Sequence, residues 1–231
     1  MSGSKEKALL SIAVDGPVSA GKSTLCGALA NQLDILHLDT GAMYRAVGLF
    51  VISKGIPTDD EKSVKQILDE NLIQVGVMYQ NRQQITLLNG KDVTSDIRTE
   101  GAGAAASAVS RFPAVRRYLV NLQQQLAKEQ SLLIDGRDIG TVVLPDASVK
   151  IYLTASPETR ALRRYTQLIS SGVNVDYPTV LQDLIARDSQ DQSRACDPLR
   201  PAEDAVIIDT TRLTFEESLQ KMLDIVKSRH G

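Results

Sequence analysis

Apolar positions follow two rhythms along this chain, and the places where the rhythm changes outline its organisation. Leu9-Leu10-Ser11-Ile12-Ala13-Val14 is a nearly continuous apolar run, the pattern of a buried strand. Leu25, Ala28, Leu29 and Leu33 then recur at helical spacing, which predicts a helix beginning near Gly21 with that stripe turned inward. Ile35-Leu36-His37-Leu38 predicts a second strand that ends in a turn at Asp39-Thr40-Gly41. A helix follows with Met43, Val47, Phe50 and Val51 on its buried face, Tyr44 and Arg45 off it, and Gly55 and Pro57 at its end.

From Thr58 to about Gly101 the rhythm shifts. After a short helix, Ile73, Val75, Val77 and Tyr79 alternate with Gln74, Gly76 and Met78, and Ile85 to Leu88 runs into Asn89-Gly90, a pair that tolerates the positive φ angles of a type I′ hairpin turn. A β meander inside a βα series reads as an inserted subdomain, here of a size to be a movable cover. The helix–strand alternation then resumes. A small-residue helix, 102–110, precedes one opened by Pro113 that carries Arg116 and Arg117. Residues 131–135 form a buried strand ending in Asp135, the turn Gly136-Arg137-Asp138 follows, and 149–153 is a fourth core strand. Ser156 caps a helix with Pro157 at its first position, 205–208 is a fifth strand, and Thr214 with Glu217 forms a capping box for the last helix. The expected fold is α/β, a five-stranded parallel core from 1–57 and 102–231 with an α+β insert at 58–101.

Composition narrows the setting without changing this picture. A hydrophobic content of 42% and a charged content of 23% are ordinary for a globular chain. A formal net charge of -2 offers no general surface for a nucleic-acid polymer. No apolar stretch approaches the roughly 18 residues that span a bilayer, there is no N-x-[ST] acceptor, and Met1 to Lys7 lack an apolar run behind a charged start. The expectation is a cytoplasmic protein with a polar tail and no membrane partner. Cys26 and Cys196 stand alone, which supports neither a metal site nor a redox pair, and His37 and His230 read as structural.

The chemistry concentrates in GPVSAGKST, residues 16–24, which matches the G-x-x-x-x-G-K-[ST] phosphate loop at every fixed position between a strand and a helix. Gly16, Pro17, Val18, Ser19, Ala20 and Gly21 form the loop, whose two glycines let successive backbone N–H groups curl round a polyphosphate at a helix N-terminus. Lys22 adds a full positive charge and Ser23 a hydroxyl able to hold magnesium. Asp135, an acid ending an apolar strand downstream of such a loop, fits a Walker-B-like place in the magnesium shell. Ligands in open parallel sheets sit at the carboxyl ends of strands, which places Thr40, Tyr44 and Arg45 beside the loop unless they form a solvated helix face. Arg137 and Asp138 reach another strand end, where a surface salt bridge is the plainer alternative. Arg160, Arg163 and Arg164 share a helix face and repel one another unless an anion or acids lie opposite. The polar segment 170–177 with Gly172 suits a lid over phosphate, together about 160–178. Arg187, Asp191 and Arg194 form another stripe, for which a solvated salt-bridge face is the competing account.

DGPVSAGKST, LDTGAMYRA, IDGRDIGTVVLPDA, RALRRY and ARDSQDQSRACDPL together resemble the bacterial type of cytidylate kinase, a P-loop nucleoside monophosphate kinase family, over nearly the whole chain. The resemblance implies a P-loop kinase fold with a nucleotide-monophosphate-binding insert and an arginine lid, and transfer of the γ-phosphoryl of ATP to CMP or dCMP with Mg2+. By position it implies Thr40, Arg116 and Asp138 at cytosine, Ser107, Arg187 and Asp191 at the sugar, Arg45, Arg137 and Arg194 at the CMP phosphate, and Tyr44 lining the pocket. It places Arg160 with ATP, Arg163 and Arg164 with Lys22 and Arg137 among the catalytic groups, and the metal hydroxyl at Ser23 or Thr24. Monomer is the family expectation. A GTPase switch is disfavoured because no D-x-x-G occurs, and a kinase of another small metabolite or another nucleoside monophosphate is the remaining alternative.

Overall fold

The computed structural model describes residues 9–230. Met1 to Lys7, expected as a tail, lie outside them. A central strand, β1 (Ser11–Asp15), pairs in parallel with β6 (Leu132–Gly136) on one side and β7 (Val149–Thr154) on the other. β2 (Leu36–Asp39) extends the sheet beyond β6, and β8 (Val206–Asp209) extends it beyond β7, giving the order β2-β6-β1-β7-β8. Alternation explains why these strands read as continuous apolar runs. Ala13, Leu132 and Ile134 point into one hydrophobic cluster, while Ile12, Val14, Leu133 and Ile151 point into the other, so both faces are covered. Successive strands from β1 lie on opposite sides of it, which makes the carboxyl end of β1 the switch point where ligands of open α/β sheets bind.

Helix α1 (Lys22–Leu33) buries Leu25 and Leu29 as expected, with Cys26 beside them, and packs with α8 (Phe215–His230) on one face. The expected capping box is present: Thr214 N–H donates to Glu217 Oε2 at 2.8 Å, and Glu217 N–H to Thr214 Oγ1 at 3.1 Å. On the other face lie α2 (Thr40–Ser53), the small-residue helix α4 (Glu100–Val109) and α5 (Pro113–Glu129). Two local expectations are corrected. No turn separates β2 from α2, because the Asp39 side chain itself caps the helix by accepting from Ala42 N–H. α4 starts earlier than expected, behind a Thr99 cap.

The insert contains α3 (Glu61–Asp69) and a three-stranded antiparallel sheet, β3 (Val75–Gln80), β4 (Gln83–Leu88) and β5 (Lys91–Asp92). Asn89-Gly90 does form a tight turn, between β4 and β5. A second pair with positive φ, Asn81 (49°) and Arg82 (64°), joins β3 to β4. The insert is seated rather than loose in this conformation. Val64, Ile67, Ile73, Val75, Val93 and Ile97 share the cluster of α2 and α5. The Gln84 amide also bonds both the N–H and the C=O of Asp39, at 2.7 and 3.2 Å.

Two further helices, α6 (Pro157–Ser170) and α7 (Tyr177–Ser193), pack against each other beyond β7, joined by residues 171–176. Ser156 caps α6 by accepting from Thr159 N–H. They contain residues 160–178, the segment expected as a lid.

Candidate active site

The loop between β1 and α1 folds as its glycines require. A Cβ on Gly16, at φ 150°, falls 2.0 Å from the Leu153 carbonyl oxygen, so no larger residue fits between the loop and β7. Gly21 sits at φ 91° at the start of α1, and Ser19 also has a positive φ. Lys22 is buried and turned back onto the loop, its Nζ donating to the carbonyls of Gly16 and Pro17, each at 2.7 Å. Burial first, and then the charge of Arg137, push its ammonium down to about 7. A lysine so placed is stabilised in its charged form when phosphate arrives.

Ser23 and Thr24, both left open as metal hydroxyls, face different ways. Ser23 Oγ donates to Asp135 Oδ2 at 3.2 Å, so a hydroxyl and a carboxylate adjoin beside the loop. Thr24 lines a cavity of about 310 Å³ with Ala20, Gly21, Leu25, Arg163, Thr210, Leu213 and Phe215. The other Asp135 oxygen lies 2.7 Å from His37 Nε2. A carboxylate has no proton to give, which assigns that proton to the imidazole. Burial would raise Asp135, but the His37 hydrogen bond and the nearby charges of His37 and Lys22 outweigh it and hold its carboxyl below the usual range. His37 is thus satisfied, as read from sequence, yet its partner is a candidate site residue. Thr40 Oγ1 donates to the Asp135 carbonyl at 2.8 Å.

Across the loop, β6 delivers Arg137 and Asp138. A single π-helical turn, Ile139–Val143, follows and is held by Asp15, whose two oxygens accept from Ile139 N–H (2.7 Å) and Gly140 N–H (2.8 Å). Asp15 was not singled out from sequence, although an acid ending an apolar strand is the same signal that flagged Asp135. Burial pushes its carboxyl up to about 6, against those two donors. Neither Arg137 nor Asp138 forms a surface salt bridge. Asp138 is 5% exposed and pairs with Arg116, itself 2% exposed. Arg137 Nε donates to Asp191 Oδ2 at 2.8 Å. Burial pushes the Asp138 carboxyl upward and the adjoining guanidinium opposes it. Arg116 also lies 5.9 Å from the centroid of the Tyr44 ring, so Tyr44 is turned into the pocket rather than into solvent.

The expected stripe of Arg187, Asp191 and Arg194 is likewise no solvated ion-pair face, and its last member lies just past the end of α7, which stops at Ser193. Asp191 is buried against Arg137, and Arg187 makes no ion pair among the described residues. The Nε atoms of Arg45, Arg187 and Arg194 are all buried without a hydrogen-bond partner. Burial lowers Arg187, and Arg137, Arg45 and Arg164 lower it further. Burial lowers Arg194 too, and Arg116 adds to it. Arg45 is otherwise held at 2.8 Å by Asp39. Ser107 turns its carbonyl to Gln190 Nε2 at 3.1 Å, tying α4 to α7.

The three arginines of α6 separate. Arg160 is buried, bonded to the carbonyls of Ala155 (2.8 Å) and Val18 (3.2 Å) and paired with Asp188 at 2.6 Å. Arg163 donates to Thr210 Oγ1 and to the Thr210 carbonyl, and Arg164 pairs with Glu100. Acids thus oppose two of the three in this conformation. A larger groove of about 460 Å³, between β8 and α8, contains none of these residues.

A sequence profile of the family described as Cytidylate kinase matches residues 12–228. The chain is 47% identical over 216 residues to a cytidylate kinase of Caldicellulosiruptor saccharolyticus, covering 94% of this chain and 95% of that one. It is 48% identical over 216 residues to a cytidylate kinase of Caldicellulosiruptor bescii, with the same coverage. Among solved structures, an uncharacterised protein from Eubacterium ventriosum overlays with a TM-score of 0.51 at 14% identity, covering 95% of this chain and 99% of that one, a likeness of fold alone. A phosphate loop at the switch point, an acid-ended strand beside it and a profile match over nearly all of the described residues agree: the chain belongs to the cytidylate kinase family.

Proposed function

We propose that this chain transfers the γ-phosphoryl group of ATP to CMP or dCMP, giving ADP and CDP or dCDP, with the donor on the β1–α1 loop and the acceptor among Arg45, Arg137, Arg187 and Arg194. The observation that carries the acceptor assignment is the set of three buried, unpartnered Nε donors, on arginines that each sit among other charges, Arg187 against Arg137 and Arg45, and Arg194 against Arg116. Orphaned cationic donors are costly unless an anion completes them, and several forks together suit a phosphomonoester better than a neutral alcohol. Arg116 and Asp138 are the base-reading pair, with Thr40 and Tyr44 beside them, and Ser107 and Asp191 lie at the sugar.

The reaction needs no general base. With a second pKa near 6, the acceptor phosphate is largely a dianion at neutral pH, so the chain's task is to hold two repelling phosphates in line. Lys22 exchanges the Gly16 and Pro17 carbonyls for phosphate oxygens, Arg137 spans towards the acceptor, and Arg163 and Arg164 bring charge from the lid. The cavity lined by Thr24, Arg163, Thr210, Leu213 and Phe215 opens beside the loop and suits the base and ribose of ATP. Arg160, bonded to Val18, holds the loop to α6.

The Ser23 hydroxyl and Asp135 carboxylate form an oxygen donor pair 3.2 Å apart, which fits Mg2+ better than Thr24 does. When bound, the ion neutralises phosphate oxygens. Among the described residues no helix is long and apolar enough to cross a membrane. A cytoplasmic monomer acting on free nucleotides, with 160–178 as lid and 58–101 as acceptor-side insert, completes the proposal. A coupled assay offering ATP with CMP, UMP, AMP or shikimate tests it: CMP or dCMP turns over fastest, and faster turnover of shikimate or AMP contradicts it.

A further inference from the structure

The segment between α7 and β8 contains a residue with a backbone conformation that its sequence disfavours. Asp197 has φ +50°, the left-handed region, and it precedes Pro198. Asp tolerates that region better than most non-glycine residues, but a following proline disfavours the helical regions, so the contacts of Asp197 help to hold it there. Asp197 has two sets of contacts, one with each of two neighbouring arginines. Its carbonyl accepts from Arg194 Nη2 at 2.7 Å. Its carboxylate Oδ2 accepts from Arg116 Nε at 2.6 Å and from Cys196 Sγ at 3.3 Å. One strained residue therefore holds both a proposed phosphate-binding arginine and the proposed base-reading arginine.

We infer that Asp197 is a specificity-determining positioning residue: its carboxylate pins the Arg116 guanidinium in the orientation that distinguishes cytosine from uracil. This rests on the assignment of Arg116 and Asp138 to the base. Arg116 has five N–H groups in a fixed plane. Nε is taken by Asp197, one Nη2 hydrogen by Asp138, and Nη1 makes only a long bond to the Ser110 carbonyl at 3.5 Å. The Tyr44 ring approaches the same guanidinium. What remains is an outer edge of Nη1 and Nη2 hydrogens whose direction is set by the bond at Nε. Cytosine offers acceptors at N3 and O2 and a donor at N4, which a guanidinium edge and the Asp138 carboxylate match together. Uracil replaces the N3 acceptor by a donor and the N4 donor by an acceptor. Such discrimination needs the guanidinium to stay in plane, because a rotated one finds uracil O2 as readily as cytosine O2.

Asp197→Gly removes the pin while suiting the left-handed backbone, and Asp197→Asn keeps both an acceptor oxygen and tolerance of that backbone. The expected result for Asp197→Gly is a fall of about tenfold or more in the CMP-to-UMP ratio of kcat/KM. CMP should account for the loss, with KM for ATP and the unfolding temperature near the parent's. Asp197→Asn should recover most of the ratio. Equal loss of CMP and UMP, or an unchanged ratio in the glycine variant, overturns the inference. Arg116→Met in the same assay separates the two levels. If it narrows the ratio and Asp197→Gly does not, Asp197 is not the pin but Arg116 still reads the base; if neither does, both assignments fall.

Discussion

The proposed donor loop and the proposed acceptor pocket are built in opposite ways. The proposed donor site is contiguous: residues 16–24 form a cradle with Lys22 turned onto it, and the backbone would do most of the binding, so nine consecutive letters specify it. The proposed acceptor site is assembled from β6, α2, α4, α5, α7 and the segment after it, and side chains would do the binding. Its charges are therefore either cross-braced, as Arg116 is between Asp138 and Asp197, or left waiting, as Arg45, Arg187 and Arg194 are at Nε. A backbone site is ready before its ligand arrives. A site of crowded arginines carries an electrostatic cost until an anion settles it.

The sharpest way to break this contrast is on the donor side. Lys22→Ala is expected to lower kcat/KM by about a thousandfold or more while leaving thermal unfolding unchanged or raised, since it removes a buried ammonium. Retention of activity within tenfold removes Lys22 from the phosphate site. On the acceptor side, Arg187→Met should raise KM for CMP by about tenfold to a hundredfold, leave KM for ATP near the parent's, and not lower the unfolding temperature, because the orphaned Nε and its repulsion from Arg137 both disappear. A stability loss matching the loss of binding would make Arg187 a structural residue.

Asp138→Ala tests the braced half. Its expected effect is a loss for CMP far larger than for UMP, narrowing the preference by about tenfold. Equal losses place Asp138 in the fold or the phosphate site. The smallest effect is protonic. Because Lys22 is pushed down to about 7 from an unfolded value near 10.5, the unfolded chain holds a proton there that the folded one lacks, so this residue destabilises the fold below about pH 7 and the penalty is relieved as pH rises towards 10.5. ATP restores the charged form, so binding at pH 8 should take up to about one proton. Calorimetry in buffers of differing ionisation enthalpy measures it, and the uptake should vanish in Lys22→Met.

What sequence made legible follows the same division. Strands buried on both faces read as apolar runs, and caps such as Ser156 and the Thr214–Glu217 box are local chemistry, so the core was readable. The β2–α2 junction was misread because Asp39, a turn former, instead caps the helix directly. The Asn81-Arg82 turn was missed because arginine is not a usual left-handed residue; its pairing with Asp34 at the end of α1 accompanies that conformation. The roles of Asp15 and Asp197, and the identity of the partner that satisfies His37, escaped for a different reason. The partners of Asp15, His37 and Asp197 lie 124, 98 and 81 positions away, and no periodicity records a bond across that distance. Single-face arginine stripes pointed to an anion site, but helical spacing alone did not reveal that Arg160 is committed to Val18 and Asp188 while Arg187 has no ion-pair partner among the described residues.

The central claim is that the arginines whose Nε atoms lack partners serve the acceptor's phosphate. Equilibrium binding of CMP against cytidine, at fixed salt and pH, tests it without any turnover. CMP should bind at least about a hundredfold more tightly than cytidine, and the gap should shrink about tenfold or more in Arg187→Met and in Arg194→Met. Cytidine binding as tightly as CMP, or a gap unchanged in both variants, would contradict the account.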